Sequence, residues 1–289
     1  MQPTRYEAPE TLGDAIRLLQ ADPDARALAG GTDLLVQYRT RARRPVSFID
    51  LKRIPELVGI AIDQQELRLG AATAAAIIYE DPEVKPLWPG LVEAAHLLGS
   101  TQIQGRGTIG GNLCNGSPAA DTTCPLIVNR ARAFIVGPED ERIINVENVS
   151  VSPGRTVLGR GDVLVALLVP VPEPRTADAY LRLIPRTEMD IAVAGAAVSV
   201  TLDEHGVCAA ARVAIAAVAP TALLVPEAAQ ALIGSRLDEE ALRRAGAAAS
   251  ATARPIDDKR GTAVYRTTVV GVLTRRAALI AGARATSLE

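Results

Sequence analysis

Thr108-Ile109-Gly110-Gly111-Asn112-Leu113, followed by Ser117-Pro118-Ala119-Ala120-Asp121, is the stretch whose reading decides this chain. Paired glycines leave no Cβ above the backbone and tolerate positive φ. Successive N–H groups in such a turn converge into a concave nest for an anion. A stretch of the same kind lies upstream: Leu28-Ala29-Gly30-Gly31-Thr32-Asp33-Leu34. Two nests closing from opposite sides suit a diphosphate. Thr32, Thr108, Asn112 and Ser117 add short polar donors, and Asp33 or Asp121 accepts from sugar hydroxyls. One Gly-Gly alone is ordinarily a tight turn. Two of them, each beside Thr, Asn or Asp, point to nucleotide binding without naming the nucleotide.

A third glycine pattern is a decoy. Residues 105–110, Gly-Arg-Gly-Thr-Ile-Gly, fit G-x-G-x-x-G. The dinucleotide fingerprint needs a strand before it, a helix after it and an acid about 20 residues on. Here a helix-like stretch precedes, Gly-Asn-Leu-Cys-Asn-Gly follows, and no acid lies between Thr122 and Gly137. The Rossmann reading is rejected.

Composition narrows the partners. The chain has 289 residues, enough for one large or two moderate domains. Its 31 basic and 33 acidic side chains give a net charge of −2, so no strong field favours a nucleic-acid partner. Aromatic content is only 3%, which makes stacking platforms scarce. A bound nucleotide must then be held mainly by backbone and aliphatic groups. Cys114, Cys124 and Cys208 form no C-x-x-C, which argues against a disulfide framework, a zinc ribbon or an iron–sulfur cluster on this chain; free buried thiols are expected. His96 and His205 are far apart, so no histidine metal site is expected, and His96 reads as a core histidine on the apolar side of a helix. The N-terminal MQPTRYEAPETLGD has acids and no apolar core, unlike a signal peptide. The longest uncharged apolar run, residues 213–226, is shorter than a membrane span and is broken by Pro220. A cytoplasmic protein with no membrane span is expected.

Periodicity predicts helices over residues 10–20 (capped by Thr11), 34–39, 73–79 (capped by Thr73), 89–98 and 125–131. It predicts strands over 26–29, 47–51, 66–71, 133–136, 142–146 and 164–169. Residues 99–123 show little periodicity. Residues 170–175, PVPEPR, carry three prolines and read as a linker. Beyond it come two long small-residue strands, 191–202 and 207–218, with a hairpin break at DEHG, then helices over 226–233, 238–251 and 267–285. The expectation is two α+β domains, residues 1–175 and 176–289.

The pair AGGTDL and TIGGNLCNGSPAAD resembles the FAD-binding, or medium, subunit of the molybdenum hydroxylases, the family of xanthine dehydrogenase and aerobic carbon monoxide dehydrogenase. YLRLIPRTEMDIA from Tyr180, AIAAVAPT from Ala214 and DKRGTAVYR from Asp258 resemble later parts of that family in the same order. The resemblance covers nearly the whole chain. It implies an α+β fold: a two-part FAD-binding domain of the PCMH type, then a smaller α+β domain with a three-stranded antiparallel sheet and helices.

Site residues follow from the same resemblance. Leu28 to Leu35 (Leu28, Ala29, Gly30, Gly31, Thr32, Asp33, Leu34, Leu35) would form the first loop over the FAD diphosphate. Thr108, Ile109, Gly110, Gly111 and Asn112 would form the second, with Ser117 and Asp121 on the sugar or ribityl chain. Leu98 and Thr101 would lie near the flavin or its diphosphate, and Leu164 would pack on the cofactor. Arg182 stands where some relatives carry a Lys that contacts FAD; Arg keeps the charge but changes the geometry. Arg186, Glu188 and Asp190 either line the flavin edge or form a surface ion cluster. Arg254, Lys259, Arg260, Arg266, Arg275 and Arg276 read as a solvated or subunit-facing basic surface. One relative carries an extra cluster on a Cys-rich inserted loop, which this sequence lacks.

The function implied is electron transfer. FAD on this chain would take electrons from [2Fe–2S] clusters on a small subunit, with molybdopterin on a large subunit, in a heterohexamer that is a dimer of heterotrimers. The final acceptor would be NAD+, oxygen or a quinone-type molecule. No catalytic side chain and no metal ligand is expected here, because the cofactor carries the chemistry. Two other readings remain: a nucleotide-binding assembly module without redox role, and a stand-alone flavin oxidase.

Overall fold

The computed structural model describes residues 4–40 and 47–287. Met1 to Pro3, the start of the stretch read as unlike a signal peptide, lie outside the described residues.

The chain opens with a small parallel sheet. Strands β1 (Arg5–Glu7), β2 (Arg26–Leu28) and β3 (Ser47–Asp50) pair in the order β1-β3-β2. Helix α1 (Leu12–Ala21) crosses between β1 and β2, capped by Thr11, whose hydroxyl accepts from Asp14 N–H at 3.2 Å. Its Ala15, Ile16 and Leu19 bury against Ile49, Val163 and Val165, so this sheet shares a core with the next one. Helix α2 (Leu34–Thr40) follows the first glycine loop.

A five-stranded antiparallel sheet comes next. Strands β4 (Ile60–Ile62), β5 (Glu66–Gly70), β6 (Arg132–Val136) and β7 (Glu141–Asn145) flank β10 (Val163–Pro170), in the order β4-β5-β10-β6-β7. VLVALLVP is a continuous apolar run because β10 is central and buried along nearly its whole length. The short hairpin of β8 (Ser150–Ser152) and β9 (Arg155–Thr156) precedes it. Between β5 and β6 the chain forms α3 (Ala75–Glu80), α4 (Val84–Leu87), α5 (Pro89–His96), α6 (Thr101–Gln104), α7 (Ile109–Cys114) and α8 (Thr123–Val128). The aperiodic stretch 99–123 therefore holds α6 and α7, four and six residues long. A 3.6-residue period has no room to show in so few positions.

Three sequence expectations are corrected here. Arg266, read as part of a solvated or subunit-facing basic surface, is only 4% exposed and donates to Val193 C=O, Ala217 C=O and the Asp258 carboxylate. Ala74, not Thr73, precedes α3; the Thr73 hydroxyl instead bonds Gly59 N–H at 2.9 Å and Gly59 C=O at 3.1 Å, closing a turn. His96 is exposed, not core; it is the last residue of α5, and its ring meets Tyr79 edge-on at 4.9 Å.

Residues 171–175 connect β10 to the C-terminal sheet. There β11 (Thr176–Leu183), β12 (Ala194–Leu202) and β13 (Cys208–Ala216) form three long antiparallel strands, and the two-residue β14 (Leu223–Leu224) extends the edge. Helices α9 (Pro226–Leu232), α10 (Glu239–Thr252) and α11 (Ala263–Thr286) cover one face. The two-residue period of the strands assigns the faces. Ala194, Ala196, Val198 and Val200 of β12 join the helix core, while Ala197 joins the core of the first domain. On β11, Ala177 and Ala179 face the helices; Asp178, Tyr180 and Arg182 occupy the opposite face, toward the first domain. Among the described residues, no helix is long and apolar enough to cross a membrane.

Candidate functional site

Backbone contact brings the two glycine loops together. Gly30 is buried, and a Cβ there would lie 2.1 Å from Arg106 C=O and 2.8 Å from Gly107 Cα. The decoy 105–110 thus has a packing role: its glycine-rich backbone lets the first loop lie on it. Gly110 is a second packing glycine, since a Cβ there would meet Ala71 O at 2.4 Å. Gly31 is needed for its φ of +74°, which turns the first loop. Gly111 is the open one: a Cβ there would meet Thr108 Oγ1 at 2.7 Å and then only Ala29 Cβ at 4.0 Å. Gln37 Nε2 donates to Asn115 Oδ1 at 2.9 Å and ties α2 to the end of α7.

Between the loops lies a cleft of about 970 Å³. Its lining includes Ala29, Gly30, Gly31, Thr32, Asp33, Leu34, Leu98, Thr108, Gly110, Gly111, Asn112, Ser117, Asp121, Leu164 and Arg182. Four of the expected residues lie elsewhere. Leu28 and Ile109 are buried, the first against Gly31 and the second in the core of the first domain. Leu35 is 44% exposed on α2, and Thr101 is exposed at the start of α6. Of the trio left open, Asp190 lines the cleft, whereas Arg186 and Glu188 are exposed outside it; Arg186 and Arg260 both pair with Asp190. The sequence reading missed Gly99, Ile103, Gly107, Gly154, Arg155, Thr156 and Leu158. The last four lie in and just after the β8–β9 hairpin, which had no recognisable pattern.

In the first loop, the N–H groups of Gly30, Gly31, Thr32 and Asp33 bond no acceptor among the described residues. In the second, Thr108 caps α7 by accepting from Gly111 N–H at 2.9 Å. Thr122 Oγ1 donates to Asn112 Oδ1 at 2.8 Å, which fixes that amide. Leu164 sits at a bulge in β10, a device that re-aims a side chain at a site.

One wall is supplied by the C-terminal domain. Arg182 Nη1 pairs with Asp121 Oδ2 at 2.6 Å, with both side chains under a tenth exposed. Tyr180 donates its hydroxyl to Asp121 Oδ1 at 2.7 Å. Burial pushes the Asp121 carboxyl upward, and the Arg182 charge and the Tyr180 hydroxyl oppose it. Burial also lifts the Tyr180 phenol well above its usual range, with the Asp121 charge adding to the effect. Arg182 Nε is buried without a hydrogen-bond partner among the described residues. Ala217, held at a φ of +63°, donates its N–H to Pro118 C=O at 2.8 Å, a third bond from the C-terminal domain to the second glycine stretch.

Comparison with known proteins identifies this architecture. The family model for the FAD binding domain in molybdopterin dehydrogenase matches residues 2–172, and that for the CO dehydrogenase flavoprotein C-terminal domain matches residues 179–281. The chain belongs to the FAD-binding medium-subunit family of the molybdenum hydroxylases. It is 36% identical over 281 residues to the carbon monoxide dehydrogenase medium chain of Afipia carboxidovorans, covering 97% of each chain. It is 30% identical over 273 residues to the xanthine dehydrogenase FAD-binding subunit of Escherichia coli, covering 94% of this chain and 93% of that one. A solved structure of reconstituted CO dehydrogenase from Oligotropha carboxidovorans superposes with a TM-score of 0.94 at 35% identity, covering 98% of both chains.

The medium-subunit cleft fits FAD on its own chemistry. Its volume lies at the upper end of the 300–1,000 Å³ usual for ligand sites. The free N–H groups of residues 30–33 are donors for an anion or a carbonyl, and the orphaned Nε of Arg182 is a buried donor beside the same cleft. Leu98, Ile103, Leu158 and Leu164 supply the aliphatic surface. The chain is a flavoprotein oxidoreductase subunit.

Proposed function

We propose that this chain holds FAD in the cleft and serves as the electron outlet of a molybdenum-dependent dehydrogenase. The observation that carries the reading is the convergence of two glycine loops, with free backbone donors on the first, on a cleft closed by the buried Arg182–Asp121 pair. In this reading Gly30 to Asp33 and Thr108 to Asn112 take the diphosphate from two sides. Ser117 and Asp121 face the sugar or ribityl hydroxyls; Leu98 and Leu164 pack on the ring system. Leu28, Ile109, Leu35 and Thr101 support these contacts from behind or beside the loops. Arg182 holds Asp121 in place through its Nη1. When bound, FAD supplies the redox chemistry that passes electrons from [2Fe–2S] clusters on a small subunit to NAD+, oxygen or a quinone-type acceptor.

The substrate would be oxidised at molybdopterin on a large subunit, in a cytoplasmic dimer of heterotrimers. Residues 1–175 form the FAD-binding domain and residues 176–289 the C-terminal flavoprotein domain. The full chain, purified alone and reconstituted with FAD, should turn yellow and bleach with dithionite. Co-expression with its neighbouring open reading frames should bring down chains that carry iron and molybdenum. A chain that takes up no FAD refutes the reading. A chain that binds FAD and oxidises a substrate unaided would be a stand-alone oxidase instead.

A further inference from the structure

Outside the cleft, a buried carboxylate joins the two domains. Asp178 is 1% exposed and sits on the face of β11 that also carries Tyr180 and Arg182. Its Oδ1 accepts from Gly90 N–H at 2.9 Å, and its Oδ2 accepts from Asn129 Nδ2 at 2.6 Å. Gly90 is the second residue of α5, and Trp88, the residue before that helix, contributes no capping side chain. Asp178 therefore caps α5 from the other domain, where a carboxylate also meets the positive end of the helix dipole. The approach requires glycine, because a Cβ at residue 90 would lie 2.5 Å from Asp178 Oδ2. Asn129 closes α8, and its Nδ2 also donates to Pro125 C=O at 2.9 Å, which fixes the amide orientation.

Two charged groups complete the joint. Arg284 near the end of α11 donates to Asp178 C=O at 2.8 Å and pairs with Glu93 of α5. Glu93 Oε2 accepts from Tyr180 N–H at 2.9 Å. The elements held here are those that lead to the cleft. Helix α5 runs on to Leu98 and Gly99, and α8 begins two residues after Asp121. Two and four residues along β11 from Asp178, Tyr180 and Arg182 reach Asp121 itself.

We propose that Asp178, clamped with Glu93 and Arg284, is a positioning residue for the cofactor cleft, acting through Tyr180 and Arg182 on Asp121. The inference rests on the FAD reading above. It makes the C-terminal domain a working part of the cleft, set in register by one carboxylate that holds α5 and α8 at once.

The test is FAD affinity in the full chain. In Asp178→Asn the side-chain shape is kept, but an amide NH₂ faces the NH₂ of Asn129, whose orientation Pro125 fixes. FAD should bind at least ten-fold more weakly, and the visible circular dichroism of the bound flavin should change. Because the effect runs through Arg182, Asp178→Asn combined with Arg182→Gln should bind FAD no worse than Arg182→Gln alone. Glu93→Gln, at a half-exposed position, gives a second variant that keeps the fold and should weaken FAD in the same direction. A lower melting temperature with FAD affinity within two-fold of wild type would overturn the proposal, as would multiplicative losses in the double variant. A wild-type chain that takes up no FAD would instead sink the functional reading itself, and this inference with it.

Discussion

The two glycines quoted at the outset are adjacent yet should fail in different ways. At Gly110 an added Cβ meets Ala71 O at 2.4 Å, Ala71 Cβ at 2.6 Å and Ala71 Cα at 2.8 Å. No rotamer change relieves these contacts, because two of the three atoms are backbone and the third is fixed to it. Overpacking of this kind costs about 1–3 kcal/mol, and the backbone clash puts Gly110→Ala near 3 kcal/mol. For a chain of this size that lowers the melting temperature by about 6–12 °C. At Gly111 the only close atom is Thr108 Oγ1 at 2.7 Å. Moving that hydroxyl loosens the cap of α7, a loss of about 1 kcal/mol, which is offset by about 1 kcal/mol of helix propensity gained on replacing Gly with Ala. Gly111→Ala should keep the wild-type melting temperature without cofactor and bind FAD at least ten-fold more weakly, because its methyl projects where the diphosphate approaches. Differential scanning fluorimetry of the cofactor-free chain, paired with FAD titration, separates the two variants. Equal melting temperatures for Gly110→Ala and wild type, or a larger loss for Gly111→Ala than for Gly110→Ala, would refute the assignment of one glycine to packing and the other to the cofactor.

Three further outcomes are expected. Asp121→Ala leaves Arg182 buried and unpaired, so urea unfolding should show a loss of about 3–5 kcal/mol. Burial, aided by the Glu93 charge and opposed by Gly90 N–H, Asn129 and Arg284, lifts the Asp178 carboxyl to about 6 from 3.8. Between those values the folded chain keeps a proton that the unfolded chain has released, so this group's contribution to stability falls as pH rises. Relative to Asp178→Asn, the wild type should lose about 2 kcal/mol between pH 4.5 and pH 7 in urea titrations, and a flat difference would count against the shifted carboxyl. Burial pushes the thiol of Cys114 up to about 12 and that of Cys208 up to about 11, and Cys124 is also raised. Cys114 is only half-buried and lines the cleft, unlike the expected buried thiol. Iodoacetamide at pH 8 should leave the buried Cys124 and Cys208 unmodified in the native chain and react with them after denaturation.

The glycine loops were legible because their chemistry is local: a turn and the donors beside it lie within a few residues. The role of each glycine was not, because Gly30 answers to Arg106 and Gly110 to Ala71, neighbours that only the fold supplies. Leu28 and Ile109 belong to the right segments but are buried, Leu28 against Gly31 at the end of β2 and Ile109 in the core under α7, a choice of side that three- and six-residue elements do not reveal in sequence. Strand β11 shows the converse. TADAYLRL alternates as a half-buried strand should, yet periodicity predicts no strand there and only Arg182 is singled out as a site residue, through the resemblance; its Asp178, Tyr180 and Arg182 face is the joint between domains. Buried polar residues paired across a joint carry no signature of their own in a single sequence.

The scarcity of aromatic rings has a structural counterpart. Among the described residues that line the cleft, none is aromatic. Two of the larger rings are instead buried away from the cleft lining. Trp88 is fully buried beside the start of α5, and its Nε1 donates to Pro170 C=O at 3.2 Å, at the end of β10. Tyr180 is buried on β11, with its hydroxyl on Asp121 and its N–H on Glu93. The rings thus hold the frame, while backbone N–H groups and leucines line the cleft. A grip of that kind depends on loop position more than on stacking, since each N–H must reach its acceptor within a few tenths of an ångström. That dependence is why a carboxylate beyond the cleft, at the joint that sets α5 and α8, bears on how tightly FAD is held.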